Sequence, residues 1–167
     1  MNIFATLVEL YELNGSLVRY YSVHLEGQAE SEFEDFLLRH EERRDLRVQM
    51  DELVAWLGML ADAYGARAHF FRHKNKAQAL PPKRRLNHLE FNNLRLYCSR
   101  INDNIVILFN GGEKTARTDQ ESPYIKRYFN HANRLAEALD QCLRNKEIRL
   151  SSDEKRLLFD PQFEMIL

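Results

Sequence analysis

The spacing of apolar residues changes repeatedly along the chain, and each change marks an element. Residues 3–12 and 17–25 are dense in Leu, Val, Tyr and Thr and flank Asn14-Gly15. Both turn residues tolerate the positive φ of a type I′ turn, so the segment predicts a β-hairpin. Leu7, Leu10 and Tyr11 also fit a helical stripe, so helix competes for 3–12. Ser31-Glu32-Phe33-Glu34 is a capping box; Phe33, Phe36 and Leu37 then predict a helix over 31–42. Leu46, Met50, Leu53, Leu57, Leu60 and Tyr64 recur every three or four positions. They predict a helix over 44–64, with Gly65 as a left-handed C′ residue. Under three heptads long, that stripe favours packing within the chain, and a homodimer seam is its competing use.

Beyond Gly65 the period shortens. Ala68–Arg72 reads as a strand, and 74–85 as a basic loop carrying a short strand at Ala77–Leu80. Residues 93–100 alternate apolar and polar, Asn102-Asp103-Asn104 is a turn, and 105–109 is a β-branched run of the kind buried on both faces. Asn110-Gly111-Gly112 is expected to end that strand. Ser122-Pro123 predicts a helix start, with Ile125, Phe129, Ala132, Leu135, Ala136, Leu139 and Leu143 as its buried face. Ser152-Asp153-Glu154 suggests the cap of a last short helix, and the apolar tail from Phe159 to Leu167 is expected to dock. Helices precede and follow a group of strands without alternating with them, so the pattern describes one α+β domain.

At 167 residues, 44% of them hydrophobic and 29% charged, the chain can bury a core without disulfide or metal. Cys98 and Cys142 form no CxxC pair and read as buried free thiols of a reducing compartment. The N-terminus has no basic region followed by a long apolar run, and no segment approaches the length of a membrane span. The expectation is a cytoplasmic protein with no membrane partner. Charge changes the picture more than composition does. Residues 1–66 carry a net charge of −8, residues 67–100 a net of +8, and the rest −1. The basic segment is either a phosphate-facing surface or a partner for the acidic helices within the fold.

Phosphate-loop, dinucleotide, zinc-protease and nucleophile-elbow motifs are all missing, so no cofactor and no metal are expected. His69 and His73 share a strand face but have no further ligands in view. In Asn110-Gly111-Gly112-Glu113-Lys114-Thr115, the glycines permit a close backbone approach and the lysine can meet a phosphate; a turn with a solvated lysine is the plainer use.

Taken together, Phe70-Phe71-Arg72, Ala79-Leu80, Leu94-Arg95-Leu96-Tyr97-Cys98 and Ile105 through Thr115 resemble a RelE/HigB-like toxin domain. The resemblance covers roughly 66–118 and is most specific in the LRLYC segment and in Gly111-Gly112-x-Lys114. It implies a small curved antiparallel sheet packed against helices, with an N-terminal hairpin and a C-terminal helix. It also implies a metal-independent endoribonuclease, the toxin of a type II toxin–antitoxin pair, whose partners are RNA, free or on the ribosome, and a cognate antitoxin. In that chemistry the RNA 2′-hydroxyl attacks the adjacent phosphate. Lys114, Arg95 and Arg72 would then stabilise the transition-state charge, with Tyr97 or His73 moving protons. Arg95 and Tyr97 share a strand face, whereas Arg100 points the other way. Two other uses stand beside this one: a RelE-like module that binds a protein partner without catalysis, and a homodimer through the 46–64 stripe.

Overall fold

The computed structural model describes residues 2–82 and 92–167. Lys83, Arg84 and Arg85 of the basic segment lie outside the described residues. The strands are β1 (Phe4–Glu9), β2 (Arg19–Leu25), β3 (Arg72–Lys74), β4 (Ala77–Leu80), β5 (Leu94–Asn102), β6 (Ile105–Glu113), β7 (Ile148–Leu150), β8 (Leu157–Phe159) and β9 (Met165–Ile166). The helices are α1 (Glu32–Glu41), α2 (Arg47–Met59) and α3 (Lys126–Arg144). Seven strands form one sheet in the order β3-β4-β5-β6-β2-β1-β9, while β7 and β8 pair separately. The protein is therefore α+β, but its sheet is mixed rather than antiparallel. β2 and β6 run parallel, Arg19 opposite Ile105 and Ser22 opposite Leu108. Parallel neighbours need a long connection, and here it holds α1, α2 and β3 to β5.

Helices cover both faces of the sheet rather than one. On one face α1 and α2 bury Phe33, Phe36, Leu53 and Leu57 against Tyr20, Leu96, Val106 and Leu108. On the other, α3 buries Phe129, Leu135 and Leu139 against Tyr97, Ile107 and Phe109. The sheet's alternating side chains thus serve two cores, which is why 105–109 reads as continuously apolar.

β1 and β2 do pair antiparallel, but no type I′ turn joins them. Tyr11–Leu13 form a 3-10 turn and Asn14 keeps φ −65°. The Asn14 side chain closes the loop instead, accepting from the Tyr20 N–H at 2.7 Å and donating to Glu9 at 2.8 Å. Ser31 caps α1 as expected, its Oγ accepting from the Glu34 N–H at 3.3 Å, while the Glu34 carboxylate accepts from the Ser31 hydroxyl at 3.1 Å. The 46–64 stripe is α2 with a 3-10 lead-in and a π-helical last turn, closed by Gly65 at φ +75°. Of the stripe, Leu46, Met50, Leu53, Leu57 and Leu60 are buried within the single chain and Tyr64 is exposed.

Other local expectations fail as well. Ala68–Phe70 is a 3-10 turn, and the strand begins at Arg72. No helix forms at Ser152; Ser151 caps a hairpin turn, accepting from the Lys155 and Arg156 N–H groups. α3 starts at Lys126, because the Ser122 hydroxyl is engaged in the preceding turn with the Thr118 carbonyl and the Ala116 N–H. The tail docks as expected, with Phe163 and Met165 buried and β9 paired to β1.

Candidate nucleic-acid interface

The candidate site depends on an irregularity in the β5–β6 hairpin. Leu96 opposes Gly111 and Cys98 opposes Leu108, so β6 carries one more residue than β5 between those pairs. This is a β-bulge at Phe109–Asn110, and it reverses the alternation beyond it. Before the bulge, odd-numbered residues of β6 face α3; after it, even-numbered ones do. Glu113 consequently meets Arg43 on the α1–α2 side, at 3.4 Å. Lys114 extends the ladder, its N–H donating to the Asn93 carbonyl at 2.7 Å, and its side chain joins Arg95 and Tyr97 on the α3 side. Asn110-Gly111-Gly112 therefore does not end the strand, which runs to Glu113.

Both glycines sit at forced approaches. A β-carbon on Gly111 would stand 2.9 Å from the Arg95 carbonyl carbon and 3.1 Å from Leu96 Cα, and one on Gly112 would stand 2.7 Å from the Ile125 side chain. At Gly111 the obstacle is the backbone of β5, so no larger residue fits there; at Gly112 it is a side chain.

Cross-strand register adds the remaining groups. Arg72 opposes Ala79, Ala79 opposes Tyr97, and Arg95 opposes Gly112, so these positions share the α3 face. Tyr97 is buried and donates to Asp119 at 2.5 Å. Lys74 reaches the same carboxylate at 2.8 Å. Asp119 is itself buried, in the loop between β6 and α3. Burial alone would raise its pKa, but hydrogen bonds from Lys74 and Tyr97, with the charges of Lys74 and Arg95, hold it below the usual carboxylate range. Burial, then the hydrogen bond to Asp119, push the Tyr97 phenol far above its ordinary range. Tyr97 is thus a fixed donor within the protein and is not placed to exchange protons with a substrate.

Arg95 is buried, donating to the Asn92 and Leu94 carbonyls at 2.7 and 2.8 Å. Arg72 donates to the Pro81 carbonyl at 2.7 Å. Both act on the site by charge from behind. Lys114 is half-buried, and its ammonium is destabilised by burial first and then by Arg95, with Lys74 and Arg72 adding to the effect and Asp119 opposing it. An open cavity of about 230 Å³ lies in front, lined by His73, Lys74, Lys114, Arg117 and Asp119 among others. His73 is exposed at its rim. Of the five residues singled out by sequence, Lys114 and His73 border this cavity, Arg95 and Arg72 lie behind it, and Tyr97 lies beneath.

Lys74 and Asp119 escape sequence reasoning. Lys74 is two residues from Arg72 and so on its face, which is a usable signal; nothing local marks Asp119, whose partners lie 45 and 22 residues away. Among the described residues no group of His, Cys, Asp and Glu is placed to hold a metal, and no helix is long and apolar enough to cross a membrane. Cys98 and Cys142 are both buried free thiols. Comparison of the chain with protein-family models, curated proteins and solved structures finds no match.

Proposed function

We propose that the cavity in front of Lys114 holds an RNA phosphate, and that the protein is a metal-independent endoribonuclease of toxin type. The observation that carries this reading is the convergence of Arg72, Lys74, Arg95 and Lys114 on one side of the sheet, where burial first and then the charge of Arg95 disfavour the Lys114 ammonium. A phosphate entering there relieves the repulsion among cations, and so binds where the protein is electrostatically least satisfied. In the cleavage step the RNA 2′-oxygen attacks phosphorus while the bond to the 5′-oxygen breaks. The 2′-proton passes to solvent, Lys114 supplies one to the departing 5′-oxygen, and the products are a 2′,3′-cyclic phosphate and a 5′-hydroxyl; His73 alternates with Arg72 and Lys74 on β3 and stays at the rim. Tyr97 is a positioning residue, holding Asp119 and, through it, Lys74. A cognate antitoxin would be the protein partner that masks this surface.

The test uses the full chain and single-stranded RNA, with and without ribosomes. Wild type should cleave; Lys114→Ala should remain folded and lose on the order of 100- to 1000-fold in rate. Intact RNA under both conditions, from a protein whose expression leaves growth unaffected, refutes the ribonuclease. A non-catalytic binding module is favoured by one specific feature: Arg72 and Arg95 each commit guanidinium hydrogen bonds to backbone carbonyls. Salt-dependent RNA binding that Lys114→Ala weakens, without cleavage, selects the module.

A further inference from the structure

β2 and β6 are adjacent and parallel, but the chain leaves them toward opposite faces. β2 leads into α1 on one face and β6 leads into α3 on the other. Connections that part in this way cannot close the space beyond the strand ends, so a crevice is left at that point of the sheet. Here it is widened because the strands separate. Their pairing stops at Ser22 and Leu108; beyond it β2 pairs only with β1, and β6 only with β5. The result is a cleft of about 500 Å³, floored by Leu25 and Asn110 and walled by α1 and α3. That volume is within the range of small-molecule sites.

The floor and inner wall are rigidly built. Asn110 is buried; it donates to Asp35 at 2.7 Å and accepts from Arg39. Arg39 also reaches the Gly111 carbonyl at 2.6 Å, and its guanidinium lies 4.3 Å from the centre of the Tyr128 ring on α3. Asp35 pairs with Arg39, and Glu32 lies 3.4 Å from His131 Nδ1. The charges left over sit on opposite walls. Arg127 and Arg134, seven positions apart on α3, share a helix face, and neither has an ion pair among the described residues. Glu30, half-buried between β2 and α1, has none either.

We propose that this crevice is a second binding site, separate from the basic cavity, for a small zwitterion of the amino-acid type. The arginines of α3 receive its carboxylate and Glu30 receives its ammonium. A purely anionic ligand would leave Glu30 facing negative charge, and a cation would face two arginines, so the dipolar ligand alone matches both walls.

Calorimetric titration of the full chain with each free L-amino acid tests this. At least one should bind at millimolar concentration with a single site, and its amide and N-acetyl derivatives should each bind about tenfold or more weakly, as expected when a charged partner is left unmatched. Arg127→Gln, Arg134→Gln and Glu30→Gln should weaken binding by a similar factor, while Arg156→Gln, in the turn before β8, should not. All four side chains lie at or near the surface, and a thermal melt confirms that each variant folds. No binding by any amino acid, equal binding of the amide or acetyl form, or binding of inorganic phosphate alone would overturn the proposal. RNA binding at Lys114 should be indifferent to these substitutions, so the two sites stand or fall separately.

Discussion

Asp119→Ala is the sharpest test of how the basic cluster is held. The carboxylate is 2% exposed and its partner Lys74 17% exposed, with Tyr97 on the other oxygen. Removing it leaves an ammonium in a largely dry site without its anion and a buried hydroxyl without its acceptor. Breaking a buried pair from one side costs about 3–5 kcal/mol. The lost Tyr97 hydrogen bond belongs to the same network and is not added separately. For a chain of this length that is roughly 6–20 °C in melting temperature. The pH dependence follows from the same contacts. Folding lowers the Asp119 pKa, because the bonds from Lys74 and Tyr97 outweigh burial. A group depressed in the folded state contributes stability above its unfolded pKa, near 4, and loses it as pH falls through the folded value. The stability gap between wild type and Asp119→Asn should therefore be full at neutral pH and narrow below about pH 4. Urea unfolding across pH, followed by circular dichroism, measures both. A cost for Asp119→Ala below about 1 kcal/mol, or a gap independent of pH, would show that Lys74 and Tyr97 are not held as described.

Leu53→Ala should destabilise by about 2–5 kcal/mol in urea, with no change in sedimentation, because Leu53 is fully buried within the single chain. Gly111→Ala should cost more than the roughly 1–3 kcal/mol of ordinary overpacking, since the added carbon meets the backbone of Arg95 and Leu96; loss of soluble protein or a sharply lowered melting temperature is the readout. The Lys114 ammonium is disfavoured by burial and by Arg95, so RNA affinity should decline with rising pH before the ordinary lysine range is reached. Lys114→Arg should hold its affinity there, and identical pH profiles for the two would contradict the crowding of charge at this site.

Much of the architecture was legible in the sequence because it is governed by near neighbours. The N-cap at Ser31, the three-and-four spacing from Leu46 to Leu60, and the turn at Asn102–Asn104 act over a few residues, and each appears in the fold. Where a local signal misled, another partner had claimed the group: the Asn14 side chain closes onto Tyr20 and Glu9, and the Ser122 hydroxyl onto Thr118 and Ala116. The candidate residues Arg72, Arg95 and Lys114 were visible as a basic, glycine-marked stretch, but their grouping was not. Strand alternation counted through β6 places Lys114 according to whether a bulge intervenes, and the bulge exists only because β5 and β6 meet in one register. The Lys74–Asp119–Tyr97 link, the parallel β2–β6 pair and the crevice beyond it join residues 22 to 86 positions apart. Period and composition carry no information about such pairings, because they arise when two separately amphipathic helix layers compete for the two faces of one sheet.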